Sequence, residues 1–334
     1  MITSSKGNRT VAPILIPTLA GNIMFKNILV PLDGSLLAQA ALPAAAYLSG
    51  KFNASVTLVH IIEKNAPREI HGQPHLRDAA EAAAYLKTIS RQWFPQGLRI
   101  ECHVHTTEVD NVAESIVQHT GELDLDLIVM CSHGRGRALH LILGNMAQKV
   151  ISMGSIPVLI ARPGENEEVT AFSCTAVLTP LDGDLDHEQA LPVAKILAKA
   201  CIASIRLAMV VPRFGSLSGQ MTVTSRFLPG TMSRMLELSV QNAEAYLKSL
   251  ADVLVSEGFN ASAHVRRGDP ANIIVAIARQ LQADVIVLAT HGKSGMEAFW
   301  AGSVAHKVCS QCRIPILLIP VEKTKMQAMN SKWT

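Results

Sequence analysis

Two aspartates stand at matching places in this chain. Asp33 follows the run Ile28-Leu29-Val30-Pro31-Leu32 and precedes Gly34, and Asp182 follows Val177-Leu178-Thr179-Pro180-Leu181 and precedes Gly183. A carboxylate there can accept hydrogen bonds from an amine or a sugar hydroxyl, or it can merely shape the turn and cap the next helix. Farther on, His133-Gly134 is followed after nine residues by Gly144-Asn145, and His291-Gly292 after nine by Gly302-Ser303. A glycine at a helix start lets an anion approach unpaired backbone N–H groups, and a following Ser or Asn adds a donor. Ordinary loop punctuation is the alternative, and recurrence of the spacing in two diverged copies counts against it. His133 and His291 are the general-base candidates if the chain is an enzyme, although a structural role beside the phosphate loop is favoured for both. Arg135 and Arg137 can add charge toward a phosphate, or stay solvated.

These residues recur because the chain is an internal repeat. Asp33 and Asp182 are 149 positions apart, whereas Leu127–Gly134 and Val285–Gly292, like Ile156–Ile160 and Ile314–Leu318, are 158 apart. The second copy therefore gains residues in its middle, and the polar segment 213–230 is the expected place. In copy one, β-rich runs fall near 28–32, 55–61, 99–105, 127–130 and 158–160, with helical periodicity near 36–49, 78–93, 112–119 and 143–152. Copy two repeats the order, with strands near 176–179, 204–210, 261–266, 285–288 and 316–319. Apolar strands alternating with helices predict two tandem Rossmann-like α/β domains, each a five-stranded parallel sheet with helices on both faces. In such sheets ligands bind at the carboxyl ends of the strands, near the reversal of strand order, which is where the aspartates and the helix starts converge. The apolar last strands are poor bare edges, so the two domains are expected to pack as an intrachain pseudo-dimer with those strands adjacent, leaving room for a homodimer. The expected divisions are a disordered tail or mis-assigned start over 1–23, domain one over 24–162, a linker over 163–173, domain two over 174–321 and a tail over 322–334.

Composition narrows the function classes. The 334 residues are 49% hydrophobic and 17% charged, with a net charge of +3. That is a globular composition without the basic excess of a nucleic-acid binder. No apolar stretch approaches the roughly 20 residues of a membrane helix, so neither nucleic acid nor membrane insertion is expected. Six cysteines without dense or regular spacing point to a reducing cytoplasm. Cys309-Ser310-Gln311-Cys312 has redox spacing but closes a helix rather than opening one, and is set aside. The twelve histidines are set aside as metal ligands, because His103 and His105 on one strand, and His71 and His75 in a loop, each lack an evident third partner.

The opening Met24-Phe25-Lys26-Asn27-Ile28-Leu29-Val30-Pro31-Leu32-Asp33-Gly34-Ser35, the Ser/Thr-His-Gly loops and the Ile-Pro-Val/Ile endings resemble the universal stress protein family, present twice over nearly the whole chain. The resemblance implies binding of an adenine nucleotide, ATP with or without Mg²⁺, in a non-enzymatic regulatory module of the stress response. A slow ATP hydrolase and a structural dimerisation protein with degenerate sites are the alternatives. The family's Gly-x-x-Gly, nine residues, Gly-Ser/Thr loop falls on Ala289, Gly292, Gly302 and Ser303 in copy two and on Cys131, Gly134, Gly144 and Asn145 in copy one. The implied nucleotide sites comprise Pro180, Leu181, Asp182, Val210, Ala289, His291, Gly292, Gly302, Ser303 and Val304 in copy two. In copy one they comprise Pro31, Leu32, Asp33, Ile61, Cys131, His133, Gly134, Gly144, Asn145 and Met146. Copy two is preferred: alanine is a small departure at the first glycine, whereas copy one carries the bulkier Cys131 and an amide at Asn145. Copy two also has Gly268-Asp269-Pro270 before its third helix, where copy one has Glu108-Val109-Asp110.

Overall fold

A computed structural model of the chain describes residues 25–70, 72–132, 143–164, 168–213, 229–291 and 303–321. The expectations for 1–23, 322–334, the body of the 213–230 insertion, His71, His133, Gly134, Arg135, Arg137, Gly292 and Gly302 lie outside these residues.

Copy one runs β1 (Asn27–Pro31), a 3₁₀ turn (Ala38–Ala41), α1 (Leu42–Phe52), β2 (Ser55–Glu63), a short hairpin β3 (Glu69–Ile70) and β4 (Gln73–Pro74), α2 (Ala79–Trp93), β5 (Ile100–Val109), α3 (Val112–Glu122), β6 (Leu127–Cys131), α4 (Asn145–Met153) and β7 (Val158–Ala161). Copy two runs β8 (Ala176–Leu181), a 3₁₀ turn (His187–Gln189), α5 (Ala190–Cys201), β9 (Ser204–Val211), α6 (Pro229–Ser256), β10 (Ala261–Arg267), α7 (Pro270–Gln280), β11 (Val285–His291), α8 (Val304–Gln311) and β12 (Ile316–Val321). The hairpin is absent from the sequence reading because its strands are two residues each. The helix expected over 36–49 begins as a 3₁₀ turn, and Pro43 in the first turn of α1, lacking an N–H, marks the change.

The ten long strands form one sheet in the order β10-β9-β8-β11-β12-β7-β6-β1-β2-β5. Within each copy's half of this sheet all pairings are parallel, and strand order reverses where β1 lies against both β2 and β6, and β8 against both β9 and β11. The two halves meet through a single antiparallel pairing of β12 with β7, with Leu317 opposite Leu159. Each of these strands is thereby covered on the side that would otherwise be an open apolar edge. Both leucines are at most 2% exposed.

Helices cover both faces. One core packs α1, α2, α5 and α6 against the sheet, and the other packs α3, α4, α7 and α8; each includes side chains from both copies. The Arg162 guanidinium, just past β7, is buried and donates to the Cys309 carbonyl in α8, a further tie between the copies.

Candidate functional site

Both strand-order reversals carry a cleft at the carboxyl ends of the strands, as expected for an open parallel sheet. Cleft one, of about 440 Å³, is lined by Pro31, Leu32 and Asp33 after β1, by Ile61 on β2, by Cys131 at the end of β6, and by Gly144, Asn145 and Met146 where α4 starts. Cleft two, of about 250 Å³, is lined by Pro180, Leu181 and Asp182 on and after β8, by Val210 on β9, by Ala289 on β11, and by Ser303 and Val304 where α8 starts. Every expected position whose side chain is described lines its cleft, and His291 closes β11.

The turns that present the aspartates are built alike. Gly34 has φ +93° and Gly183 φ +86°, a left-handed conformation that costs an L side chain roughly 1–2 kcal/mol. At Gly34 a Cβ would also come within 2.7 Å of Leu76. The Asp33 Oδ1 atom accepts from the Ser35 N–H at 2.9 Å and the Ser35 hydroxyl at 2.7 Å, and the Asp182 Oδ1 atom accepts from the Asp184 N–H at 3.0 Å. The turn-shaping role weighed from sequence is therefore present, and each aspartate lines its cleft as well.

Cleft two contains a partner that local spacing did not single out. His187 lines it and donates from Nδ1 to the Asp182 Oδ2 atom at 2.7 Å. Partial burial works to raise the Asp182 carboxyl, but the bonds from His187 and the Asp184 N–H outweigh it and hold the carboxyl below its ordinary range. The bond to Asp182 raises the imidazole of His187, against the effect of its own burial. The raised imidazole favours folding fully below its unfolded value of about 6.5 and loses that contribution as pH rises through the folded value. The depressed carboxyl contributes above its unfolded value of about 3.9 and loses this as pH falls through its folded value. The pair is thus strongest between those two unfolded values, and with the Asp182 side chain 59% exposed it adds little to stability. The expected result is a His187 ring that titrates above about 6.5 by NMR and moves back toward that value in Asp182→Asn; an unmoved midpoint would show that the pair does not form. The sequence signal was the acidic turn Asp182-Gly183-Asp184-Leu185-Asp186 directly before His187.

At the opposite end of each cleft lies a helix N-terminus. The Ser303 hydroxyl caps α8 by accepting from the His306 N–H at 3.1 Å, and its own O–H remains a donor. Gly144 caps α4 and has no side chain to bond its first-turn N–H groups. Between carboxylate and helix start the walls are largely apolar, with Val59, Ile116 and Met130 in cleft one, which also holds His60, Glu63 and His75, and Ala208, Ile274 and Leu288 beside Thr290 in cleft two. A largely apolar slot with a carboxylate at one end and a helix N-terminus at the other can suit a heteroaromatic base carrying phosphates. Pro270, in the first turn of α7, lines cleft two beside the Asp269 side chain, which caps that helix. In cleft one the hairpin contributes Ile70, and its Gln73 side chain accepts from the Leu36 N–H at 2.8 Å.

Five of the six cysteines are buried, and Cys102 is exposed. Burial pushes the Cys131 and Cys309 thiols up to about 12 and raises Cys312, the opposite of the lowered thiol that redox chemistry at the 309–312 pair would need.

The universal stress protein family model matches residues 24–162 and again 175–320. The chain belongs to the universal stress protein family. Its two copies are both members' domains, which accounts for the duplicated sheet and the duplicated cleft. It is similar to a universal stress protein of Synechocystis, 33% identical over 142 residues that cover 42% of this chain and 87% of the relative. It is also similar to the universal stress protein E homolog of Haemophilus influenzae, 20% identical over 331 residues covering 90% of this chain and 98% of the relative. The crystal structure of a universal stress protein from Archaeoglobus fulgidus superposes with a TM-score of 0.61 at 18% identity, covering 90% of this chain and 99% of that one, a likeness of fold. No described helix is long and apolar enough to cross a membrane.

Proposed function

We propose that this universal stress protein binds an adenine nucleotide in its two clefts and acts as a regulatory module of the stress response, in the cytoplasm, with the two domains functioning as an intrachain pseudo-dimer. The observation that carries this reading is the pairing, in each copy, of an aspartate at one end of an apolar slot with a helix N-terminus at the other. ATP fits that arrangement. Asp33 or Asp182 would accept from the base or sugar, and the starts of α4 and α8 would receive phosphate, with Ser303 adding a hydroxyl in cleft two. That hydroxyl keeps cleft two the preferred site. Mg²⁺ would enter with the phosphates, carried by the nucleotide.

Binding needs no selective stabilisation of a transition state, and phosphoryl transfer would in addition need a residue positioned for the attacking water. Calorimetric titration with ATP, with and without Mg²⁺, followed by assay for ADP tests the reading. Saturable binding with no turnover is expected, and Asp182→Ala weakens it in cleft two by about 1–3 kcal/mol through loss of a buried hydrogen bond. Absence of saturable binding would leave a structural dimerisation protein. Turnover near the ~1 s⁻¹ of ordinary enzymes, abolished by His291→Ala with affinity unchanged, would establish a hydrolase.

A further inference from the structure

The sequence reading left His103 and His105 without a third partner, and the fold supplies one. Both lie on β5, the edge strand of the sheet, two residues apart and therefore on one face. Helix α3 brings His119 to that face. The ring centroid of His119 is 5.0 Å from that of His103 and 5.1 Å from that of His105. One ring nitrogen from each of the three lies within 4.8 Å of the other two. None of the three lines either cleft.

We propose that His103, His105 and His119 form a binding site for a divalent transition-metal cation of the zinc type, with three imidazole ligands and a fourth position left to water. His119 is 3% exposed and gives its Nδ1–H to the Ser115 carbonyl at 2.7 Å. That bond fixes the tautomer and leaves the Nε2 lone pair facing the cluster, the outer-shell arrangement typical of metal-bound histidine. Its Nε2 stands 3.1 Å from the Nε2 of His103. In the metal-free protein the proton between them belongs to His103; with a cation present it moves to the Nδ1 of His103 and both Nε2 atoms become ligands. Zn–N bonds of about 2.0–2.1 Å in a tetrahedral shell hold ligand nitrogens about 3.3–3.4 Å apart, so this pair needs little movement. His105 closes the remaining distance from the half-buried strand. The side chain of Glu122, three residues beyond His119, acts on His103 electrostatically and supplies negative charge near the cation.

A packing role alone does not account for three clustered imidazoles, because copy two builds the same corner with one histidine, His264. The strand register places His103 opposite Val59 on β2 and His264 opposite Ala208 on β9. The position equivalent to His105 is thus Arg266, and the eighth residue of the helix, His119 in α3, is Ile277 in α7. Ile277 is 2% exposed, so the fold accepts an apolar side chain where copy one buries an imidazole. The cluster is confined to one copy and does not depend on the nucleotide reading.

The test uses the full chain stripped with a chelator and titrated with Co²⁺, whose visible absorption reports a tetrahedral nitrogen site. The expected result is a band that saturates at one Co²⁺ per chain and is displaced by Zn²⁺. His103→Gln and His105→Gln should each weaken binding by at least about 100-fold, and His264→Gln should leave it unchanged. Because His119 is buried, His119→Ile copies the residue of the other domain, keeping the fold by circular dichroism while the band is lost. No band at millimolar Co²⁺, or a band that survives His103→Gln and His105→Gln, overturns the site.

Discussion

Leu159→Ala and Leu317→Ala will each lower stability by about 2–5 kcal/mol, the usual cost of emptying a fully buried leucine site, and the double variant will cost less than the two losses together. The two residues face each other across the strand pairing that joins the copies in the sheet, at 1% and 2% exposure. Removing either one leaves a cavity against the other, so the second removal takes away contacts already half lost. Residues in such contact show coupling of about 0.5–3 kcal/mol. Urea unfolding of the wild type, both single variants and the double variant measures it. Strict additivity would mean that β7 and β12 do not meet in solution, and the pseudo-dimer would go with them.

The second large effect is expected at the helix starts. Gly144→Val and Gly302→Val place a branched side chain where phosphate is proposed to approach the backbone. Each should weaken nucleotide binding in its own cleft by at least about tenfold, or 1.4 kcal/mol. Gly144 has φ −61° and ψ 151°, a conformation open to any residue, so the variant tests space at the cleft rather than backbone strain. Calorimetry on the two variants also ranks the sites. If Gly144→Val removes the tighter binding event and Gly302→Val the weaker one, the preference for cleft two is reversed. If neither variant changes the titration, phosphate does not sit at these helix starts.

The Asp182–His187 pair shows why the ranking needs that measurement. Spacing favoured copy two on the strength of Ala289 and Ser303, both of which do line its cleft. The fold adds a histidine already bonded to the aspartate that a ligand would use, and the cleft around them is smaller than its counterpart. At the position of His187, copy one has Ala38, 149 residues earlier.

Local patterns determined much of this protein directly. The repeat, the alternation of strand and helix, and the turns Asp33-Gly34 and Asp182-Gly183 are properties of neighbouring residues, because period and backbone conformation depend on what lies within a few positions in the chain. The parallel topology then carries the ends of β1, β6, β8 and β11 to the strand-order reversals, so the expected cleft residues converge without any further information. The tertiary structure alone decided what depends on the angle and depth at which one element packs on another. The turn of α3 that carries His119 reaches His103 and His105 only through the packing of α3 on the sheet beside β5. Arg162 finds the Cys309 carbonyl 147 positions away. The adjacency of β7 and β12 was expected from their apolar sequences, but their antiparallel pairing, which merges two expected sheets into one, was decided by the tertiary structure. Each such contact joins residues far apart in sequence and is selected by burial summed over a whole interface, a sum that no local spacing carries.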